Sequence, residues 1–167
     1  HSVSACAHRL HMNEILGGGG FTSRITSRVR SDEGLAYSAG SSFSFGRHWP
    51  GQFVARFQSK NPSVPQAIAI VLEEIERIRT EPVTAEELNT AKQGRIAFLS
   101  ELYSDADRMA QRFATDDLRG EAADYWQQYE VNTLAVTAED VLRVAKQHLK
   151  PDELRILVVG KLSEAAA

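Results

Sequence analysis

Metal-ligating side chains near the start of the chain are His8, His11 and Glu14, spaced three and three. A zinc site needs three or four such groups converging on one point. Steps of three drift by about −60° each around a helix, which smears the set across a face. The zinc-peptidase signatures HExxH and HxxEH occur nowhere in the sequence. An exposed polar helix face is therefore the expectation for these residues, and no metal is assigned to the chain. His48 and His148 sit in no recognisable nucleophile–base arrangement. The run Gly17, Gly18, Gly19, Gly20 leads into Phe21 but lacks GxxxxGK[ST] and fails GxGxxG at its last glycine. It also follows a helix pattern, whereas phosphate loops follow a strand. Four glycines exceed what a helix cap needs and permit close approach by another backbone, such as an extended peptide. Downstream, Arg30 and Tyr37 fall on either side of a turn at Gly34. Singly, Arg30 reads as a solvated surface charge and Tyr37 as a half-buried strand aromatic.

The elements that must position these residues follow from periodicity. Val3, Ala7, Leu10, Ile15 and Leu16 suit a helix with one apolar side, stopped by Gly17. Thr22 or Ser23 caps a short helix over 24–30, with Ile25 and Val29 inward. Residues 35–45 alternate, with Leu35, Tyr37, Ala39, Phe43 and Phe45 on one face. A turn through Gly46, Pro50 and Gly51 returns the chain as a second strand over 52–59, an antiparallel hairpin.

A helix over 66–79 then presents Ile68, Val71, Leu72, Ile75 and Ile78. Thr84 with Glu87 and Thr137 with Asp140 spell two capping boxes, each stapled by a preceding valine. Between them, helices are expected from Ala85 to at least Leu102, over 108–115 and over 124–131. Residues 154–159, LRILVV, read as a strand buried on both faces.

The order predicts an α+β fold, a mainly antiparallel sheet with helices packed on one face. One domain over 1–160 with a frayed tail over 161–167 is expected. Three strands make a thin sheet for so many helices. A further strand preceding residue 1, or supplied by a partner, would mend it. The chain opens already in helical periodicity, so it reads as one piece of a longer polypeptide.

Composition narrows the class. Across 167 residues, 43% are apolar and 25% charged, which is ordinary for a globular protein. A net charge of −3 gives no basic field for nucleic acid or anionic membrane. No apolar run approaches the roughly 20 residues that span a bilayer. Cys6 is alone, which excludes an internal disulfide and a CxxC motif. A bacterial cytoplasm or periplasm is the compartment expected.

Taken together, ILGGGGFTSRITSRVRSDEGLAYS resembles a segment of the pitrilysin/insulinase family of zinc metallopeptidases, which includes the mitochondrial processing peptidases. The likeness continues in order through AIAIVLEEIERI, VTAEELNTAKQ, DYWQQY, VTAEDVLRVAKQHLKP and LRILVVG. It implies one of two related α+β halves facing each other around a peptide-sized chamber, here the C-terminal, Arg/Tyr-bearing half. By that resemblance Tyr37 hydrogen-bonds the scissile carbonyl and its oxyanion, Arg30 holds neighbouring substrate carbonyls, and Gly17–Phe21 flanks the substrate. Zinc and HxxEH are expected in a homologous partner half, on the same polypeptide or a separate subunit. Without HxxEH the chain alone is expected to be inactive. The alternatives are a non-catalytic scaffold, like the core proteins of respiratory complexes, or a stand-alone peptide-binding module.

Overall fold

The computed structural model describes residues 3–44, 51–122 and 124–161. Helix α1 (Val3–Asn13) tightens no further at its end but widens into a π-helical turn over Glu14–Gly18. A single 3-10 turn, Gly20–Thr22, leads to α2 (Arg24–Thr26), which continues as π-helix over Ser27–Asp32. Strands β1 (Ala36–Phe43) and β2 (Phe53–Ser59) form an antiparallel pair. Helices α3 (Val64–Thr80), α4 (Ala85–Tyr103), α5 (Ala106–Arg119), α6 (Tyr125–Ala135) and α7 (Ala138–His148) complete the chain. The expected turn through Pro50, the placement of Phe45 and the tail beyond Lys161 lie outside the described residues.

The fold is α+β, as the alternation and helix periods predict. The core forms where α1, α2, α3 and α7 meet one face of the hairpin. Met12, Leu16, Ile25, Ile75, Ile78, Val141 and Leu149 are buried there, with Ala39, Phe43, Phe53, Ala55 and Phe57 packed against them. Both capping boxes form in full. Thr84 accepts from the Glu87 N–H and Thr137 from the Asp140 N–H, and each acid reaches back to the threonine N–H. The stapling valines, Val83 and Val136, are buried. Among the described residues no helix is long and apolar enough to cross a membrane.

Two expectations about strands need correction. Residues 154–159 join no ladder, and among the described residues the sheet has two strands rather than three. Leu157 and Val159 are 87% and 89% exposed, the opposite of a strand buried on both faces. The physical reason is pairing: an apolar run becomes a strand only when a neighbour satisfies its backbone, and β2 lies across a cleft from it. Strict alternation also fails near the start of β1. Ala36 pairs with Ser59 and Ser38 with Gln58, so Tyr37 is an extra residue opposite a single step of β2. That β-bulge reverses the phase. Ala36 and Ala39 both pack on the core, and Tyr37 is turned out of the face where alternation would place it.

Buried charge is the feature that periodicity does not reveal. Glu74 of α3 is fully buried and accepts from Arg28 Nη1 at 2.9 Å, with Arg77 Nη1 at 3.3 Å. His11 is buried as well, and His8 and Glu14 are half-buried, which corrects the expectation of an exposed polar face for the three. The His11 Nδ1–H donates to the Ala7 carbonyl at 2.8 Å while Nε2 meets no partner among the described residues. Burial first, against the helping Ala7 carbonyl and with the charges of Arg95, Lys92 and His8, lowers its pKa from 6.5 to about 4. A histidine held neutral contributes stability that is complete above pH 6.5 and lost as pH falls from there through about 4. The shift is equivalent to about 3 kcal/mol. Thermal melts between pH 7.5 and 4.5 should show this loss, and His11→Met should flatten the profile. An unchanged profile in that variant would assign the acid sensitivity elsewhere.

Candidate functional site

The glycine run is wound rather than open. Gly17 closes the π-turn against β1, and a Cβ there would sit 2.5 Å from Ser41 Oγ and 2.6 Å from its backbone nitrogen. The backbone that these glycines admit is thus, at Gly17, the chain's own strand. Ser41 Oγ donates to Asn13 Oδ1 at 2.8 Å and Asn13 Nδ2 returns a bond to the Ser41 carbonyl at 3.3 Å, which locks the turn to the sheet. Gly17→Ala should therefore cost about 1–3 kcal/mol through overpacking. Gly94→Ala, in an exposed turn of α4 with 3.8 Å of clearance, should be neutral or stabilising by up to about 1 kcal/mol. Equal denaturation midpoints for the two variants would contradict this reading of the turn.

Three arginines leave α2 and its π-helical extension, and their fates differ. Arg24 is buried and grips Glu87 with two bonds, Nε–Oε1 at 2.6 Å and Nη2–Oε2 at 2.9 Å. Burial works against the Glu87 charge, but the Arg24 bond and the Thr84 N–H outweigh it and hold the carboxyl at about 2. Arg28 is spent on Glu73 and Glu74. Arg30 is exposed, and among the described residues no carboxylate pairs with it. Its guanidinium instead lies over the Phe21 ring, 4.5 Å from the centroid. That stacking presents the guanidinium while leaving its N–H edges free.

Gly34, at φ +62°, makes the turn that separates Arg30 from Tyr37. The Leu35 N–H donates to the Val29 carbonyl at 2.9 Å and ties the start of β1 to the helix that carries Arg30. Tyr37 is 66% exposed, and its hydroxyl has no hydrogen-bond partner among the described residues. The structure thus brings Phe21 and Arg30 into contact and sets Tyr37 on the strand directly after the Gly34 turn. Arg24, Glu87, Asn13 and Thr26 anchor this region. Pattern reading missed all four in this role, because their partners lie 13 to 63 positions away.

Beside the glycine turn is a recess of about 250 Å³ lined by Glu14, Gly19, Thr22, Glu86 and Glu87. Burial raises the Glu14 carboxyl pKa, with Arg95 opposing.

The donor set does not fit zinc. His8 faces Asp140 at 3.6 Å and Arg143 at 3.2 Å, and His11 Nδ1 is committed to Ala7. Among the described residues no group of three His, Cys, Asp or Glu could hold a metal ion. No catalytic step is therefore routed through a metal on this chain.

Known structures share this fold. The inactive domain of a peptidase M16 from Pseudomonas fluorescens superposes with a TM-score of 0.76 at 24% identity, over 89% of this chain and 35% of that one. A protease from Helicobacter pylori gives 0.75 at 19%, over 90% and 36%. A candidate zinc protease from Bordetella pertussis Tohama I gives 0.71 at 14%, over 88% and 80%. The chain spans about a third of the length of the first two. Identities this low speak for the fold alone, an α+β architecture shared with these structures. The sequence goes further. Residues 10–95, just over half of the chain, match the model of the peptidase M16 inactive domain, and the chain belongs to that family. No curated protein matches it.

Proposed function

We propose that this chain is the substrate-gripping half of a zinc metallopeptidase and supplies Arg30 and Tyr37 across a chamber to a homologous, zinc-bearing half. The observation that carries the reading is selective freedom. Of the three arginines on one short helix, Arg24 and Arg28 are locked into carboxylates, while Arg30 has only Phe21 beneath it. The bulge delivers Tyr37 to solvent with its hydroxyl unspent. A guanidinium fork suits backbone carbonyls of an extended peptide. A phenol hydroxyl suits the oxyanion that a scissile carbonyl becomes, and such donors are worth most in a closed, water-poor site.

In this reading the metal, its water and the general base belong to the partner half. This chain binds and orients the peptide and stabilises charge. Gly20 and Phe21, at the exposed end of the glycine turn, flank the bound strand. The test is peptide hydrolysis by the chain reconstituted with its zinc-bearing half, with Tyr37→Phe and Arg30→Ala compared with the parent. Undiminished activity in both would leave a scaffold role.

A further inference from the structure

The register of the hairpin separates its two faces. Ala39, Phe43, Phe53, Ala55 and Phe57 pack toward the helices. The cross-strand pairs between them, Ser38 with Gln58, Gly40 with Arg56 and Ser42 with Val54, therefore face the other way. Ser38, Ser42, Arg56 and Gln58 are exposed there, and the bulge adds Tyr37 to the same open face.

Two properties of this face point to an occupant. The first is shape. On β1 it carries only Ser38, Gly40 and Ser42, a row low enough for a second extended backbone to lie close above it. A Cβ on Gly40 would meet the Gly17 carbonyl oxygen at 2.9 Å and nothing else within 4 Å, so the space over Gly40 is otherwise open.

The second is charge. Arg56 is the one charged residue of the two strands, and neither strand contains an Asp or Glu in a chain with 22 acidic residues. Exposed arginines on the helices hold carboxylates from nearby in the chain: Arg77 meets Glu81, Arg108 meets Glu101 and Arg143 meets Asp140. A helix brings residues three and four apart together, and a strand does not. The same-face neighbours of Arg56 are Val54 and Gln58, and its guanidinium makes no hydrogen bond or ion pair among the described residues. An acid that pairs with Arg56 must arrive from another chain.

Spacing says where on a bound peptide that acid lies. Tyr37 precedes Gly40, the partner of Arg56, by three residues, about 10 Å of extended chain. A peptide lying along β1 rises at the same rate. The side chain that reaches Arg56 is thus about three residues from the carbonyl at Tyr37.

We propose that Arg56 is a specificity-determining residue, whose guanidinium fork receives the side-chain carboxylate of an Asp or Glu about three residues from the scissile bond of an extended peptide. The proposal rests on the reading of this chain as a substrate-gripping half, and it adds the class of substrate, an acidic peptide.

Hydrolysis of a peptide series by the reconstituted pair tests it. Glu, Gln or Lys is placed in turn at each position up to about four residues on either side of the scissile bond, with C-termini amidated. The parent should favour Glu over Lys about 10-fold in kcat/KM at a position about three residues from the bond. Arg56→Gln should reduce that preference below about 2-fold, and Arg56→Glu should reverse it in favour of Lys. Reversal is an effect that a merely structural role would not produce. Fluorescence anisotropy of labelled Glu and Lys peptides titrated with the whole chain reads the same preference without turnover. If Tyr37→Phe and Arg30→Ala leave hydrolysis unchanged, the reading of the site falls, while the carboxylate site stands on its anisotropy and its reversal in Arg56→Glu. Equal treatment of Glu and Lys by the parent in both measurements would overturn the proposal. So would a Glu preference that persists in Arg56→Gln, or one seen only in a matched set with free C-termini, which would give Arg56 to the end of the peptide.

Discussion

On the role proposed for it, Tyr37→Phe should lower kcat about 100-fold in the chain reconstituted with the proposed zinc-bearing half, with KM changed little. The substitution removes one hydroxyl and nothing else. Tyr37 is 66% exposed and its hydroxyl bonds to no described residue, so neither packing nor the hydrogen-bond inventory of the fold changes. A loss confined to kcat marks an interaction made in the transition state and absent in the ground state, as expected for a donor aimed at a developing oxyanion. Arg30→Ala should instead act mainly on KM, because a group that holds carbonyls away from the reacting bond binds ground and transition states alike. Arg30→Lys should recover only part of the loss, since a point charge does not reproduce the fork. Steady-state kinetics on the three variants decide it. Parent-like kcat in Tyr37→Phe, with a parent-like melting temperature, would remove the oxyanion role.

The second large effect concerns stability. Glu74→Ala should cost about 3–5 kcal/mol, because deleting one partner of a buried ion pair strands the other. Glu74 is fully buried, whereas Arg28 and Arg77 reach it from partly exposed positions and keep Glu73 and Glu81 as second partners. That places the expected cost near the lower end, a fall in melting temperature of roughly 10 °C at 2–4 °C per kcal/mol for a chain of this size. Glu74→Gln, which keeps the shape and one acceptor, should cost less. Urea denaturation of the two variants separates the cases: equal midpoints for Ala and Gln would assign the whole cost to the lost charge, and a parent-like midpoint for Gln would mean that the charge is immaterial. Because the pair joins α3 to the π-helical extension that carries Arg30, Glu74→Ala should, on the role proposed for Arg30, also weaken peptide hydrolysis in the reconstituted pair by misplacing that side chain.

The sequence by itself determined the local elements and their ends. Capping chemistry is contained within four residues, so the Thr84/Glu87 and Thr137/Asp140 boxes and the buried Val83 and Val136 could be read directly. Strand alternation likewise identified the hairpin, and the absence of HxxEH, a contiguous motif, was visible at once. Family membership was legible for the same reason: its signature, running from the glycines to Tyr37, is local and ordered.

Only the tertiary structure decided what depends on partners distant in the chain. The bulge at Tyr37 is a property of register against β2, and no count along β1 reveals it. Whether a given arginine is spent or free depends on carboxylates brought in by α3 and α4, which leave Arg30 available while Arg24 and Arg28 are bound. Residues 154–159 have the composition of a buried strand, yet a strand exists only as half of a pair, and their backbone faces an open cleft. Periodicity measures what one segment prefers. Pairing, burial of charge and closure of a sheet are set by what a second segment supplies.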